Sequence, residues 1–191
     1  MQESIYKIIN QSANNFQSIS NDGNIILEIE KIIDLVVEAF QNGNKLLLCG
    51  NGGSASDAQH IAAELSGKFF KERKPLYAEA LHVNTSYLTA VANDYGFEKT
   101  YARMIEASGK RGDILLALST SGNSSNVVQA IQKANELGMT TIGLTGIDGG
   151  EMNDICNILV KIPSSNIARI QEAHILTGHI ICQLVEDKMF D

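Results

Sequence analysis

The 191-residue sequence predicts an α/β fold in which a parallel sheet is covered by helices on both faces. Three observations lead there. Near-continuous apolar runs such as Leu46-Leu47-Leu48-Cys49 and Ile114-Leu115-Leu116-Ala117-Leu118 alternate with helical patterns, as strands buried on both faces require. Two loops rich in Gly and Ser, over 50–56 and 119–126, each follow such a run and open a helix, which places them beyond the carboxyl ends of strands. Sixteen Gly against two Pro suit many tight strand-to-helix turns rather than a disordered linker.

The elements follow in order. Ile5, Tyr6, Ile8, Ile9, Phe16 and Ile19 are spaced for an amphipathic helix over 5–19 that needs a partner surface. Asn21-Asp22-Gly23-Asn24 breaks it. Ile25, Ile26, Ile29, Ile32, Ile33, Val36, Val37 and Phe40 then carry a helical stripe that stops at Asn42-Gly43, where glycine suits a left-handed cap. Residues 1–42 are thus a helical lead-in, packing either on a neighbouring subunit or on their own domain. After the strand, loop and helix of 46–65 come a strand at 77–83, helices at 85–92 and 97–107 around a turn at Asn93-Asp94-Tyr95-Gly96, and a third strand at 113–118. A helix at 127–137 stopping at Gly138, strands at 140–144 and 158–162, and a closing helix at 167–189 complete a single domain over 1–191.

A formal charge of −7 with fifteen scattered Lys and Arg argues against a nucleic-acid surface, so an anionic ligand must be held by local dipoles and a few cations. Cys49, Cys156 and Cys182 show no CxxC spacing, and Cys49 and Cys182 sit in apolar contexts typical of buried free thiols, which suits a reducing cytoplasm. No basic, then apolar, leader opens the chain and no apolar run reaches membrane-spanning length, so neither export nor a membrane is expected.

The two loops are the expected anion sites. Glycine lets the backbone approach a ligand, and the helix after each loop points its unpaired N–H groups and positive dipole end at the same place. The second loop adds the hydroxyls of Ser119, Thr120, Ser121 and Ser124. No GxxxxGK[ST] is present, and no acid ends the second strand, which argues against a nucleotide or dinucleotide cofactor. On the helix after the first loop, His60 and Glu64 are four apart and share a face. Lys71-Glu72-Arg73-Lys74 reads as a solvated loop, His82 and His174 as packing or hydrogen-bonding residues, and Asp148-Gly149-Gly150 as a turn.

Gly50-Asn51-Gly52-Gly53-Ser54, Asn93-Asp94-Tyr95-Gly96-Phe97, Ser119-Thr120-Ser121-Gly122-Asn123-Ser124, Thr145-Gly146-Ile147-Asp148-Gly149-Gly150 and Arg169-Ile170-Gln171-Glu172-Ala173-His174 together resemble the sugar isomerase (SIS) domain of the phosphoheptose isomerase family, nearly end to end. The resemblance implies a three-layer αβα sandwich with a five-stranded parallel sheet. It also implies a homotetramer with active sites at subunit interfaces, and conversion of D-sedoheptulose 7-phosphate to D-glycero-D-manno-heptose 7-phosphate in bacterial heptose synthesis for lipopolysaccharide or capsule. It implies one zinc ion per subunit, held by His60, Glu64, Gln171 and His179. Substrate contacts are implied at Asn51, Gly52, Gly53, Glu64, Asn93, Asp94, Ser119, Thr120, Ser121, Ser124 and Gln171. Lys68 stands where the family often carries Arg; it keeps the charge and loses the bidentate fork. The bacterial DnaA-initiator-associating protein shares the domain but lacks equivalents of Glu64 and His179. This chain keeps both, which favours the enzyme over the alternative of a non-catalytic phosphosugar-binding or protein-binding module.

Moving a carbonyl between C2 and C1 through an enediol needs a base at carbon and a group that shuttles protons at oxygen, roles assigned to Glu64 and His179 respectively. Gln171 and His179 lie roughly 12 Å apart along a helix axis, so reaching one ion calls for long opposed side chains or ligands from different subunits. Gln is an uncommon zinc ligand, which favours weak or exchangeable binding.

Overall fold

The computed structural model describes residues 1–190; Asp191, the last position of the expected 1–191 domain, lies outside the described residues. Five parallel strands form one sheet: β1 (Leu46–Gly50), β2 (Ala78–Ala80), β3 (Ile114–Ser119), β4 (Thr140–Thr145) and β5 (Ile158–Lys161), in the order β2-β1-β3-β4-β5. The chain reverses direction across the sheet between β1 and β3, where Gly50 registers with Leu118. That pair therefore bounds the crevice in which a doubly wound sheet binds its ligand.

Alternate strand residues feed two cores. Leu46, Leu48, Ile114, Leu116 and Leu118 face α2 (Gly23–Gln41), α3 (Gly53–Ser66) and α7 (Ile167–Phe190). Leu47, Cys49, Leu115 and Ala117 face α5 (Thr100–Ser108) and α6 (Ser125–Glu136). Both faces being covered explains why the strands read as continuous apolar runs. The expected three-layer sandwich is present, and Cys49 and Cys182 are buried free thiols, with burial pushing Cys182 up to about 12.

The lead-in forms α1 (Gln2–Asn21) and α2. The Asp22 carboxylate caps α2 by accepting from the Asn24 and Ile25 N–H groups, and Ile25, Ile29, Ile32, Ile33 and Val36 bury its stripe. Gly43, at φ +72°, closes the far end, where the Asn44 N–H reaches back to Ala39. Only Asn15 and Ile19 of α1 are buried, whereas Ile5, Tyr6, Ile8 and Ile9 stand about half exposed or more.

Three expectations change. The strand expected over 77–83 contracts to Ala78–Ala80, because it is an edge that pairs only with Leu46–Leu48. The turn expected at Asn93-Asp94-Tyr95-Gly96 shrinks to Gly96, since α4 (Thr85–Tyr95), capped by Asn84, runs on through Tyr95 before a left-handed Gly96 at φ +94° turns the chain into a short 3-10 segment, Phe97–Lys99. The Lys71–Lys74 stretch is not simply solvated. The side chain of its Arg73 is 1% exposed and paired with the equally buried Glu186 side chain of α7 at 2.7 Å, while the remaining Arg73 N–H groups donate to the carbonyls of Glu64, Leu65, Gly67 and Lys74. Arg73 thereby satisfies carbonyls left over at the end of α3. Glu186 in turn accepts from the Phe69, Phe70 and Lys71 N–H groups. Burial pushes its carboxyl up, but those three donors and Arg73 together overcome it and hold the group at about 2.

Candidate active site

The two glycine and serine loops flank the crevice. At the first, β1 ends at Gly50, Gly52 takes a left-handed φ of +55°, and α3 begins at Gly53 with no side-chain cap. A Cβ at Gly53 would lie 2.6 Å from the Gln171 amide, so glycine is what lets α7 approach the start of α3. At the second loop, Ser119 Oγ lies 3.0 Å from Ser124 Oγ, and α6 begins after Ser124, again with no side-chain cap. By contrast, Asp22, Asn84 and Asn166 accept from N–H groups in the first turns of α2, α4 and α7. At α3 the Ser54, Ala55 and Ser56 N–H groups reach the Asn51 and Gly52 carbonyls, and at α6 the Val127 N–H reaches Asn126 Oδ1, so the N–H groups of Gly53, Ser125 and Asn126 are what the two helix starts leave for an anion.

Neighbouring segments brace the second loop. Gly122, at φ +67°, comes so close to Gly149 that a Cβ would sit 2.0 Å from the Gly149 carbonyl oxygen. The Asn123 side chain accepts from the Glu151 N–H, in a 3-10 turn (Gly150–Asp154) that follows the expected turn at 148–150. Beside the loop lies a cavity of about 230 Å³ lined by Thr120, Ser121, Gly146, Ile147, Asp148, Ser164, Ser165, Ile167 and Ile170. Ser164, Ser165 and Asp148 line this cavity, and nothing local in the sequence distinguishes them from ordinary turn residues.

The acid/base cluster lies farther along α3. Gly53 meets Gln171, Ile61 meets Gly178, and Cys182 lies 3.9 Å from the Ile61 carbonyl, so α3 and α7 run side by side in the same direction. This register brings His179 to His60, with ring centroids 5.0 Å apart, and His60 Nε2 lies 3.1 Å from Glu64 Oε1. Ligand atoms of His60, Glu64 and His179 all lie within 4.8 Å of one another, with the His60 side chain half exposed. Two imidazoles and a carboxylate converging at that spacing fit a divalent metal that takes nitrogen and oxygen donors. Phe69, beside His179 at 5.7 Å between ring centroids, walls one side.

Gln171 does not join the three. Its amide sits against Gly53, seven residues and so roughly 10 Å along the α3 axis from His60. Asn93 and Asp94 are exposed on the last turn of α4, the Asn93 amide donating to Asp94 at 2.8 Å, and among the described residues neither bonds to either loop. The Asn51 side chain is engaged by Asn126. Lys68 forms a surface pair with Glu72 at 3.1 Å.

Sequence reasoning passed over Asp57, one helical turn before His60. One of its carboxylate oxygens is buried without a partner; burial pushes its carboxyl up, with His60 opposing. His174 of α7 is fully buried with neither ring nitrogen hydrogen-bonded, and burial pushes it down to about 4 against an opposing effect of the Thr145 backbone.

The SIS domain family matches residues 9–146. The phosphoheptose isomerase of Clostridium acetobutylicum is 51% identical over 174 residues, covering 91% of this chain and 89% of that protein. That of Aneurinibacillus thermoaerophilus is 46% identical over 190 residues, covering 100% and 96%. The solved structure of phosphoheptose isomerase GmhA from Neisseria gonorrhoeae superposes with a TM-score of 0.92 at 39% identity, covering 97% of this chain and 98% of that one.

Proposed function

The chain belongs to the SIS-domain family and groups with its phosphoheptose isomerases, and from that premise we propose that it interconverts D-sedoheptulose 7-phosphate and D-glycero-D-manno-heptose 7-phosphate in bacterial heptose biosynthesis. The observation that carries the reading is the convergence of His60, Glu64 and His179 from two parallel helices.

In this reading the Gly52-Gly53 backbone and the hydroxyls of Ser119, Thr120, Ser121 and Ser124 hold the sugar phosphate, with Asn51, Asn93, Asp94 and Gln171 contributing along the sugar. Glu64 takes the proton from C1 of the ketose while His179 gives one to the C2 oxygen, leaving a C1–C2 enediol. His179 then accepts the C1 hydroxyl proton as Glu64 returns a proton to C2, and the aldose results. His60, Glu64, His179 and Gln171 would hold a zinc ion, which would supply positive charge to stabilise the developing enediolate. Within one chain Gln171 is held against Gly53, so it completes that ligand set from a neighbouring copy. Loops with Gln171 from one subunit and the His60/Glu64/His179 cluster from another then make one site, in a homotetramer whose contacts cover the exposed half of α1. Residues 1–191 act as one SIS domain with 1–42 as its lead-in, in the cytoplasm.

A coupled assay on sedoheptulose 7-phosphate with added Zn²⁺ tests this. Glu64→Gln and His179→Gln each lose about 10²–10⁴-fold in kcat, the range for removing a general acid or base. Absence of turnover by the wild type, or full activity in Glu64→Gln, overturns the assignment.

A further inference from the structure

Asn51 and Asn126, one on each loop, form a reciprocal amide pair across the crevice. The Asn51 Nδ2 donates to Asn126 Oδ1 at 2.8 Å and the Asn126 Nδ2 donates to Asn51 Oδ1 at 2.9 Å. Asn126 is 1% exposed, in the first turn of α6, and its Oδ1 also accepts from the Val127 N–H at 3.0 Å. That third bond fixes which end of Asn126 is oxygen, and so which end of Asn51 is the donor.

The two residues stand at the starts of helices on opposite faces of the sheet: α3 packs into the core with α2 and α7, α6 into the core with α5. Neither helix start has a side-chain cap, and the strands beneath hold the loops only as far as Gly50 and Ser119. The amide pair is therefore the link that sets the separation of the two helix starts above the sheet edge. We infer that Asn126, buried out of reach of any ligand, is a positioning residue that acts through Asn51 to hold the two loops at the spacing a single phosphate spans. The inference deepens the isomerase reading and rests on it for the identity of the phosphate.

The pair calls for both partners: a carboxylate at 126 accepts but does not donate, and alanine at either position strands the other amide. Wild type, Asn51→Ala, Asn126→Ala, Asn126→Asp and the double alanine variant are compared for kcat and KM on sedoheptulose 7-phosphate, for inorganic phosphate affinity by titration calorimetry, and for melting midpoint. Asn126→Ala and Asn126→Asp each raise KM and the phosphate dissociation constant about tenfold with kcat changed less than about threefold, and the double alanine variant is no worse than Asn51→Ala, as for residues acting as one unit. A merely structural role lowers the melting midpoint and leaves KM and phosphate affinity where they were. Phosphate affinity within about twofold of wild type in Asn126→Ala, or effects that multiply in the double variant, overturns the inference. Should Asn126→Ala not fold, Asn126→Ser, small and polar enough for the buried position, is measured in its place. Lack of turnover by the wild type refutes the isomerase reading alone, and phosphate titration still decides the role of the pair.

Discussion

Replacing Glu186 by Gln removes a charge from the most thoroughly bonded carboxylate described in the protein and leaves Arg73 buried beside a neutral amide. The carboxyl is held at about 2 against an ordinary value near 4.5. At 1.36 kcal/mol per unit this corresponds to about 3 kcal/mol of native-state stabilisation. Losing one partner of a buried pair falls in the same range, about 3–5 kcal/mol. The lowered value means that the contribution is complete above the unfolded-state range and drains away as pH falls from about 4.5 toward 2. Urea midpoints for wild type and Glu186→Gln, taken at fixed protein concentration from pH 7 to pH 3, measure it. The expected deficit is about 3 kcal/mol at pH 7, narrowing as acid protonates the wild-type carboxylate. A deficit under about 1 kcal/mol at pH 7, or one that stays constant down to pH 3, refutes the reasoning.

Two further predictions concern the ground under the site. His174 stays neutral in the native protein because burial lowers it to about 4, whereas the unfolded chain protonates near 6.5, so stability falls as pH drops through that window. Denaturant titrations at pH 7 and pH 4.5 should show that loss in wild type and its removal in His174→Phe; an equal slope in both disproves it. Gly122→Ala forces a methyl to within 2.0 Å of the Gly149 carbonyl at a left-handed φ, and should weaken inorganic phosphate binding at least about tenfold by calorimetry, because the serine loop must move. Wild-type affinity in that variant removes the case for a rigid loop.

The parts of the fold written in local pattern were legible. Both loops lie beyond the carboxyl ends of adjacent strands because apolar runs, turn glycines and helical stripes are each short-range signals. Pairings between distant residues were not. Arg73 and Glu186 are 113 positions apart, and nothing in Lys71-Glu72-Arg73-Lys74 marks which of four charged side chains turns inward. Asn126 reads in the sequence only as the last polar residue of the loop over 119–126, since its value depends on a loop 75 positions away. The helical spacing of Gln171 and His179 showed the roughly 12 Å problem; only the parallel register of α3 and α7 shows that Gln171 meets Gly53 while His179 meets His60.

The two uncapped helix starts have a consequence for how affinity is acquired. A flexible phosphate site must order its donors at the moment of binding, and that ordering subtracts from the observed affinity. Here the donors at the starts of α3 and α6 are frozen when the two cores form, one on each side of the sheet, so their ordering is charged to folding. Damage to either core, however far from the ligand, is thus expected to register first as loss of affinity, well before the fold itself gives way.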